Sequence, residues 1–366
     1  MNIQAQRRLA QSVLVPAISI VCGFVVAGLF VLASGKDPIQ SFLALLTGAF
    51  IDPFPGALTD TLVAAIPYIF LGLAVALGFR AGLFNIGAEG QFYLGALFGV
   101  YVGYSLHGLP GVIHIPLAIL AGMLGGAIWG GIPGFLKARF GAHEVITTIM
   151  LNYVAFSLSD YLINRGPMAD KHASAPKTPF IDPAAQLPVL VPGTRLHLGL
   201  ILALLAVPVV WFLIDRTTIG FRIRSVGFNQ AAARAAGISV AATMVLTMGI
   251  SGALSGLAGA DEVLGLSHFM PPTFSTGYGF DSIAVALLAR SNPWAIIPAA
   301  LLFGALRNGA TNMQLQTQAS ADAISVVEAT VIIFIAAPAL VRSLFRLREQ
   351  AVPEVQITQR ESQGVA

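Results

Sequence analysis

The sequence predicts an all-α, polytopic membrane protein, and three observations carry that reading. Hydrophobic residues fill 56% of the 366 positions and charged residues only 10%, where a soluble domain carries about 25% charged residues. In water such a chain would expose large apolar patches. Its mean hydropathy is +0.80. About ten apolar runs follow one another, each near the roughly 20 residues that a helix needs to cross a bilayer. The 38 glycines and 21 prolines would mark loops in a soluble chain, but membrane helices tolerate both.

The runs fall near residues 12–33, 61–79, 90–106, 114–136, 143–163, 197–214, 239–259, 276–290, 294–311 and 322–341. Arg7 and Arg8 precede the first, which stays uncharged from Val13 to Ala33. That is longer than a signal-peptide core, so it is predicted to remain as a transmembrane helix. Cys22 lies within it and is the one cysteine, so no disulfide framework arises. A lipoprotein cleavage site is excluded as well, because Val21 stands where a small residue should precede the cysteine. Pro38 to Asp60 alternates apolar runs with Asp52, Pro53 and Pro55, which predicts an interfacial helix and not a full crossing. The eighth run is short. Residues 1–345 form one membrane domain, and 346–366 a polar tail with no expected structure. Spans two to five and seven to ten enter the membrane from opposite sides, the arrangement of an inverted repeat, which places a substrate path at the repeat interface.

Lysine and arginine set the orientation. With the N-terminus inside, fourteen of the 20 basic residues face the cytoplasm, including Arg80, Lys137, Arg139, Arg224 and Arg346. Lys36, Arg165, Lys171, Lys177 and Arg195 face outward, and Arg307 is unassigned. Both termini are therefore predicted to be cytoplasmic, in a multi-pass plasma-membrane protein. The outer loop at 164–196 is long, polar and proline-rich, suited either to touching an extracytoplasmic partner or to serving as a solvated connector. The inner loop at 215–239 carries arginines and then the alanine-rich run Asn229 to Ala236, closed by Gly237. That pattern predicts a short helix on the inner face with a glycine C-cap. The formal charge of +3 is too small to imply a nucleic-acid partner.

Glycines recur every four residues at Gly95, Gly99 and Gly103, at Gly122, Gly126, Gly130 and Gly134, and at Gly252 and Gly256. Such stripes allow helix backbones to approach in lipid. They predict a compact bundle and say nothing of its cargo. The segment from Arg80 to Gln91 interrupts an apolar stretch with Gly82, Gly87 and Gly90 around Asn85, Glu89 and Gln91. Polar groups at membrane depth are costly and face a bundle interior or a watery path. Asn85, Glu89, Gln91, Asn152 and Asp281 are therefore candidates for lining a translocation path, and a hydrogen-bond network joining helices is the alternative. A second polar insertion runs from Ser275 to Ser282.

Catalytic and nucleotide-binding signatures fail. His143-Glu144 begins a zinc-protease motif, but Thr147 replaces its second histidine. Gly35-Lys36 approaches a phosphate loop, yet Phe30 stands at the first glycine and Asp37 at the Ser/Thr position. No metal site, cofactor or catalytic set is predicted. If ATP drives this chain, another subunit binds it.

Four ordered segments are familiar: Gly82 to Gln91, Ala142 to Tyr153, Val226 to Ile238 and Gly279 to Leu288. They resemble the signatures of the branched-chain amino acid, ribose and nucleoside permease family of ATP-binding-cassette (ABC) importers, across roughly residues 60–345. The second segment is similar to that of the nucleoside and simple-sugar branch. Gln230 departs from the proline or glutamate common in the family. The resemblance implies ABC ATPase subunits, a second and related permease chain, and an extracytoplasmic substrate-binding protein. It also implies that Gly227, Phe228, Asn229, Ala232, Arg234 and Gly237 grip the ATPase. The rival class is an ion-gradient-driven secondary transporter, with Glu89, Glu144, Asp281 and Glu328 as its proton or sodium sites.

Overall fold

A computed structural model describes residues 21–51, 55–275 and 277–318, together with positions 18, 326, 329, 330 and 333. The start of the first predicted span, most of the tenth span near 322–341 including Glu328, and the tail at 346–366 lie outside the described residues. Among the described residues no strand forms, and one isolated β-bridge joins Val189 to His197. The helices are α1 (Val21–Ala33), α2 (Pro38–Phe50), α3 (Gly56–Arg80), α4 (Ala88–Ser105), α5 (Gly111–Phe140) and α6 (Glu144–Asn164). After the outer loop come α7 (Gly199–Arg216), α8 (Thr218–Phe228), α9 (Gln230–Ala235), α10 (Val240–Glu262), α11 (Tyr278–Leu288) and α12 (Pro293–Thr317).

Five of these are long and apolar enough to cross a membrane: α3, α5, α6, α7 and α10, the last with its π-helical extension to Ser267. The pair α1 and α2, bent by 119° at their break, raises the number to six. Asp37 caps α2 by accepting from the Ile39 and Gln40 amides, and Gly48 of α2 sits against Asn312 of α12. The predicted eighth span is corrected: α11 has 11 residues, far short of a bilayer crossing.

Glycine decides where the helices meet. A Cβ on Gly95 would lie 2.2 Å from the Gly256 Cα, one on Gly99 3.0 Å from the Ala260 Cβ, and one on Gly103 3.6 Å from Leu264. The constant offset means that α4 runs parallel to α10. It also sets Ala88, the first residue of α4, level with Gly249, nine residues into α10, or about 14 Å along its axis. Helix α5 packs antiparallel on the same surface, with Gly122 against Gly256 and Gly126 against Gly252. The predicted stripes are thus backbone-to-backbone contacts among three helices.

The outer loop is neither free nor solvated throughout. The Thr178 amide donates to the Met270 carbonyl at 3.0 Å, the Ile181 amide to His268 at 3.0 Å and the Leu187 amide to Leu264 at 2.9 Å. This loop therefore lies on the far end of α10, while α8 and α9 lie at its start. The two ends of α10 define the two faces of the bundle.

Candidate functional site

Two helices begin inside the bundle. α3 ends at Arg80, and a turn through Gly82 (φ +69°) leads to α4. α10 ends in a π-helical turn over Val263–Ser267, and the chain returns through Gly277 (φ +101°) to α11. The first turns of α4 and α11 meet, because the Gly279 amide donates to Glu89 Oε2. A Cβ on Gly279 would lie 2.4 Å from the Glu89 amide nitrogen, so glycine is required at that contact. Both helix N-termini carry partial positive charge, and the Glu89 carboxylate sits where that charge is greatest.

The predicted polar residues sort into two groups. Asn85, Gln91 and Asn152 are buried and engaged with protein. Asn85 Nδ2 donates to Gln91 Oε1 at 3.0 Å and Ser251 Oγ at 2.9 Å, while its Oδ1 accepts from the Gly87 amide and Gln91 Nε2. Asn152 accepts from the Gly90 amide at 2.9 Å and donates to the Ile86 carbonyl at 3.0 Å. These bonds tie α6 and α10 to the irregular backbone before α4, satisfying groups that would be expensive to bury unpaired.

The second group faces a different partner set. Asp281 Oδ2 accepts from Tyr68 Oη at 3.0 Å and lies 3.6 Å from Arg307 Nη1. The Arg307 guanidinium stands 4.6 Å from the Tyr278 ring centroid, and Tyr68 and Tyr278 meet edge-on at 5.1 Å. Phe92 stacks on Phe274 at 5.2 Å, and Tyr93 lies 4.8 Å from Phe156. Tyr93 Oη accepts from the Ser275 amide at 3.1 Å. Glu89, Asp281, Arg307 and these aromatics form one polar cluster walled by rings. Sequence reasoning missed Tyr68, Tyr278 and Arg307. The signal for Arg307 was present, since a charge within an apolar run calls for an interior partner.

Glu144 lies outside this cluster. It is ion-paired to Lys137 across the turn from α5 to α6, which accounts for it without an ion-binding role.

On the face with α8 and α9, Asn229 ends one helix and begins the next. Its side chain caps α9 by accepting from the Ala231 and Ala232 amides at 2.9 and 3.0 Å. Gly237 follows in the left-handed region at φ +80°, as the C-cap pattern predicted. Gly227 and Phe228 belong to the end of α8 and not to α9, because the extended backbone of Asn229 (φ −159°) breaks the helix. Gly227 packs on backbone, where a Cβ would lie 2.2 Å from the Arg80 carbonyl oxygen. Phe228 is 96% exposed. Ala232 and Arg234 are exposed and Ala233 is buried, so Ala233 seats α9 on the bundle. Arg234 also lines a cavity of about 260 Å³ with Lys137 and Gln230.

The family model of the branched-chain amino acid transport system permease component matches residues 57–336. The chain is 42% identical over 337 residues to the guanosine ABC transporter permease protein NupP of Bacillus subtilis, covering 90% of this chain and 94% of that protein. It is 36% identical over 330 residues to the glucose ABC transporter permease protein TsgB13 of Haloferax volcanii, covering 87% and 86%. It is also 36% identical over 336 residues to the nucleoside ABC transporter permease protein NupB of Lactococcus lactis, covering 89% and 91%.

Proposed function

The chain belongs to the permease-component family of branched-chain amino acid transport systems, and on that premise we propose that it imports a nucleoside. A permease of this kind is no enzyme; a separate ATPase subunit hydrolyses ATP. The observation that carries the substrate class is the ring-walled polar cluster. Phe274 and Tyr278, both partly exposed, offer flat apolar surfaces to a base, with Phe92 backing them from the core, and Asp281 with Arg307 offers an acceptor and donors to sugar hydroxyls. The names of the guanosine and nucleoside relatives agree with this reading.

The path runs beside that cluster, along the exposed face of α6, and is completed by a second, related permease chain. Helices α5 and α7 expose aliphatic residues such as Leu117, Leu120, Leu204 and Val209, as lipid requires. α6 exposes Ser157 and Asp160 among apolar residues such as Met150 and Val154, and polar groups facing hydrocarbon are expensive. Glu89 and Asp281 remain path residues in this account, whereas Asn85, Gln91 and Asn152 brace it. About ten spans in a plasma membrane, with an inverted repeat, belong to this proposal. The unit of α3, its break and α4 parallels the unit of α10, its break and α11, run in the opposite direction. The α9 face is cytoplasmic and the 164–196 loop meets an extracytoplasmic binding protein. A cysteine replacing Lys177 should then label with an impermeant thiol reagent in intact cells, and one replacing Arg224 should not; the reverse pattern inverts the topology.

Asp281→Asn keeps the size of the side chain and removes its charge. It should lower nucleoside uptake at least roughly tenfold while the complex assembles, the scale of losing one charge-assisted contact. Wild-type uptake by this variant, or uptake of guanosine that excess ribose alone abolishes, would contradict the nucleoside site.

A further inference from the structure

The outer loop ends on a pair of histidines that the transport reading does not use. His197 is buried, and its Nδ1 accepts from the Gly199 amide at 3.2 Å, capping the start of α7. Its ring packs against the π-helical turn: a Cβ on Gly265 would sit 2.4 Å from Nδ1. His268 closes that turn in the left-handed region at φ 59°, with its amide donating to Val263 at 2.9 Å. Its buried Nδ1 has no partner among the described residues. The same turn receives the loop's hydrogen bonds at Leu264, His268 and Met270. Farther along the chain it leads to Gly279, the residue that binds Glu89.

We propose that His197 and His268 form a proton-operated latch that holds the 164–196 loop on the 263–270 turn while both rings are neutral and releases it when they are protonated. A proton on Nδ1 of His197 removes the acceptor for the Gly199 amide and sets a cation against the positive end of α7. A second imidazolium at His268 repels it. Charged or titratable side chains lie on the neighbouring elements. Asp261 on α10 faces Gly199, Glu262 beside it is half-buried, and Arg195 is ion-paired to Asp60 at the start of α3.

Burial, with His268 as the second cause, holds His197 down to about 4, and burial lowers His268 as well. A released loop returns His197 to about 6.5. The released state therefore binds more protons between these values. The latch is fully in place above about pH 6.5 and weakens as pH falls toward 4.

Hydrogen exchange on the assembled transporter in lipid nanodiscs, corrected for intrinsic rates, tests this. Between pH 7.5 and pH 5, protection of peptides spanning 178–198 and 263–270 should fall roughly thirty-fold, the ratio set by those two values, while α5 is unchanged. His197→Asn retains a capping acceptor and does not titrate, and His268→Asn tolerates the left-handed backbone. Each variant should reduce the pH response, and the double variant should abolish it. Constant protection in the wild type, or an undiminished response in the double variant, overturns the latch.

Discussion

Phe228→Ala should leave the permease folded and weaken its complex with the ATPase roughly thirty-fold, the ~2 kcal/mol of a buried aromatic anchor. The side chain is 96% exposed, so the isolated chain loses almost no packing when it is truncated. It stands beside α9, whose alanines present little bulk and allow close approach. Asn229 and Gly237 fix the helix from both ends without help from a partner, which makes the surface pre-organised. Titration of purified permease in nanodiscs with labelled ATPase reads the affinity directly. An unchanged dissociation constant would mean that the docking surface lies elsewhere.

Gly256→Val should have the largest effect on the fold. Its Cβ would meet the Gly122 carbonyl oxygen at 2.2 Å and the Gly126 Cα at 2.9 Å, and neither is the movable end of a side chain. Separating α5 from α10 to make room also disturbs α4, which packs on the same stripe through Gly95. Overpacking of this kind costs about 3 kcal/mol, and the thermal midpoint should fall by on the order of 10 °C. Gly131→Val is the control, because a Cβ there meets nothing within 4 Å. Equal midpoints for the two variants would contradict the backbone-to-backbone contact.

The spacing of Gly122, Gly126 and Gly130 made this interface legible in the sequence, since four-residue repeats mark one helix face whatever that face meets. Asn229 and Gly237 were legible for a similar reason: caps are local, and their chemistry does not depend on the rest of the fold. The polar cluster was less so. Glu89 and Asp281 stood out as carboxylates in apolar runs, but nothing in their spacing joined them to Tyr68 or Arg307, which come from α3 and α12. Nor could the sequence say whether Asn85 and Asn152 line a path or join helices, because a buried amide looks the same in a pore and in a brace. Only the partners of each amide distinguish the two. α11 was read too long for a related reason: its apolar run extends to Arg290, and the break at Gly277 that starts the helix within the bundle is a tertiary feature.

This chain should move its substrate only when a docked ATPase drives it. Nucleoside uptake should be measured in proteoliposomes holding the permease pair and binding protein, with and without the ATPase and ATP, and with imposed proton or sodium gradients. Uptake should require both ATPase and ATP and be indifferent to either gradient. Uptake driven by a gradient in the absence of the ATPase would contradict this requirement.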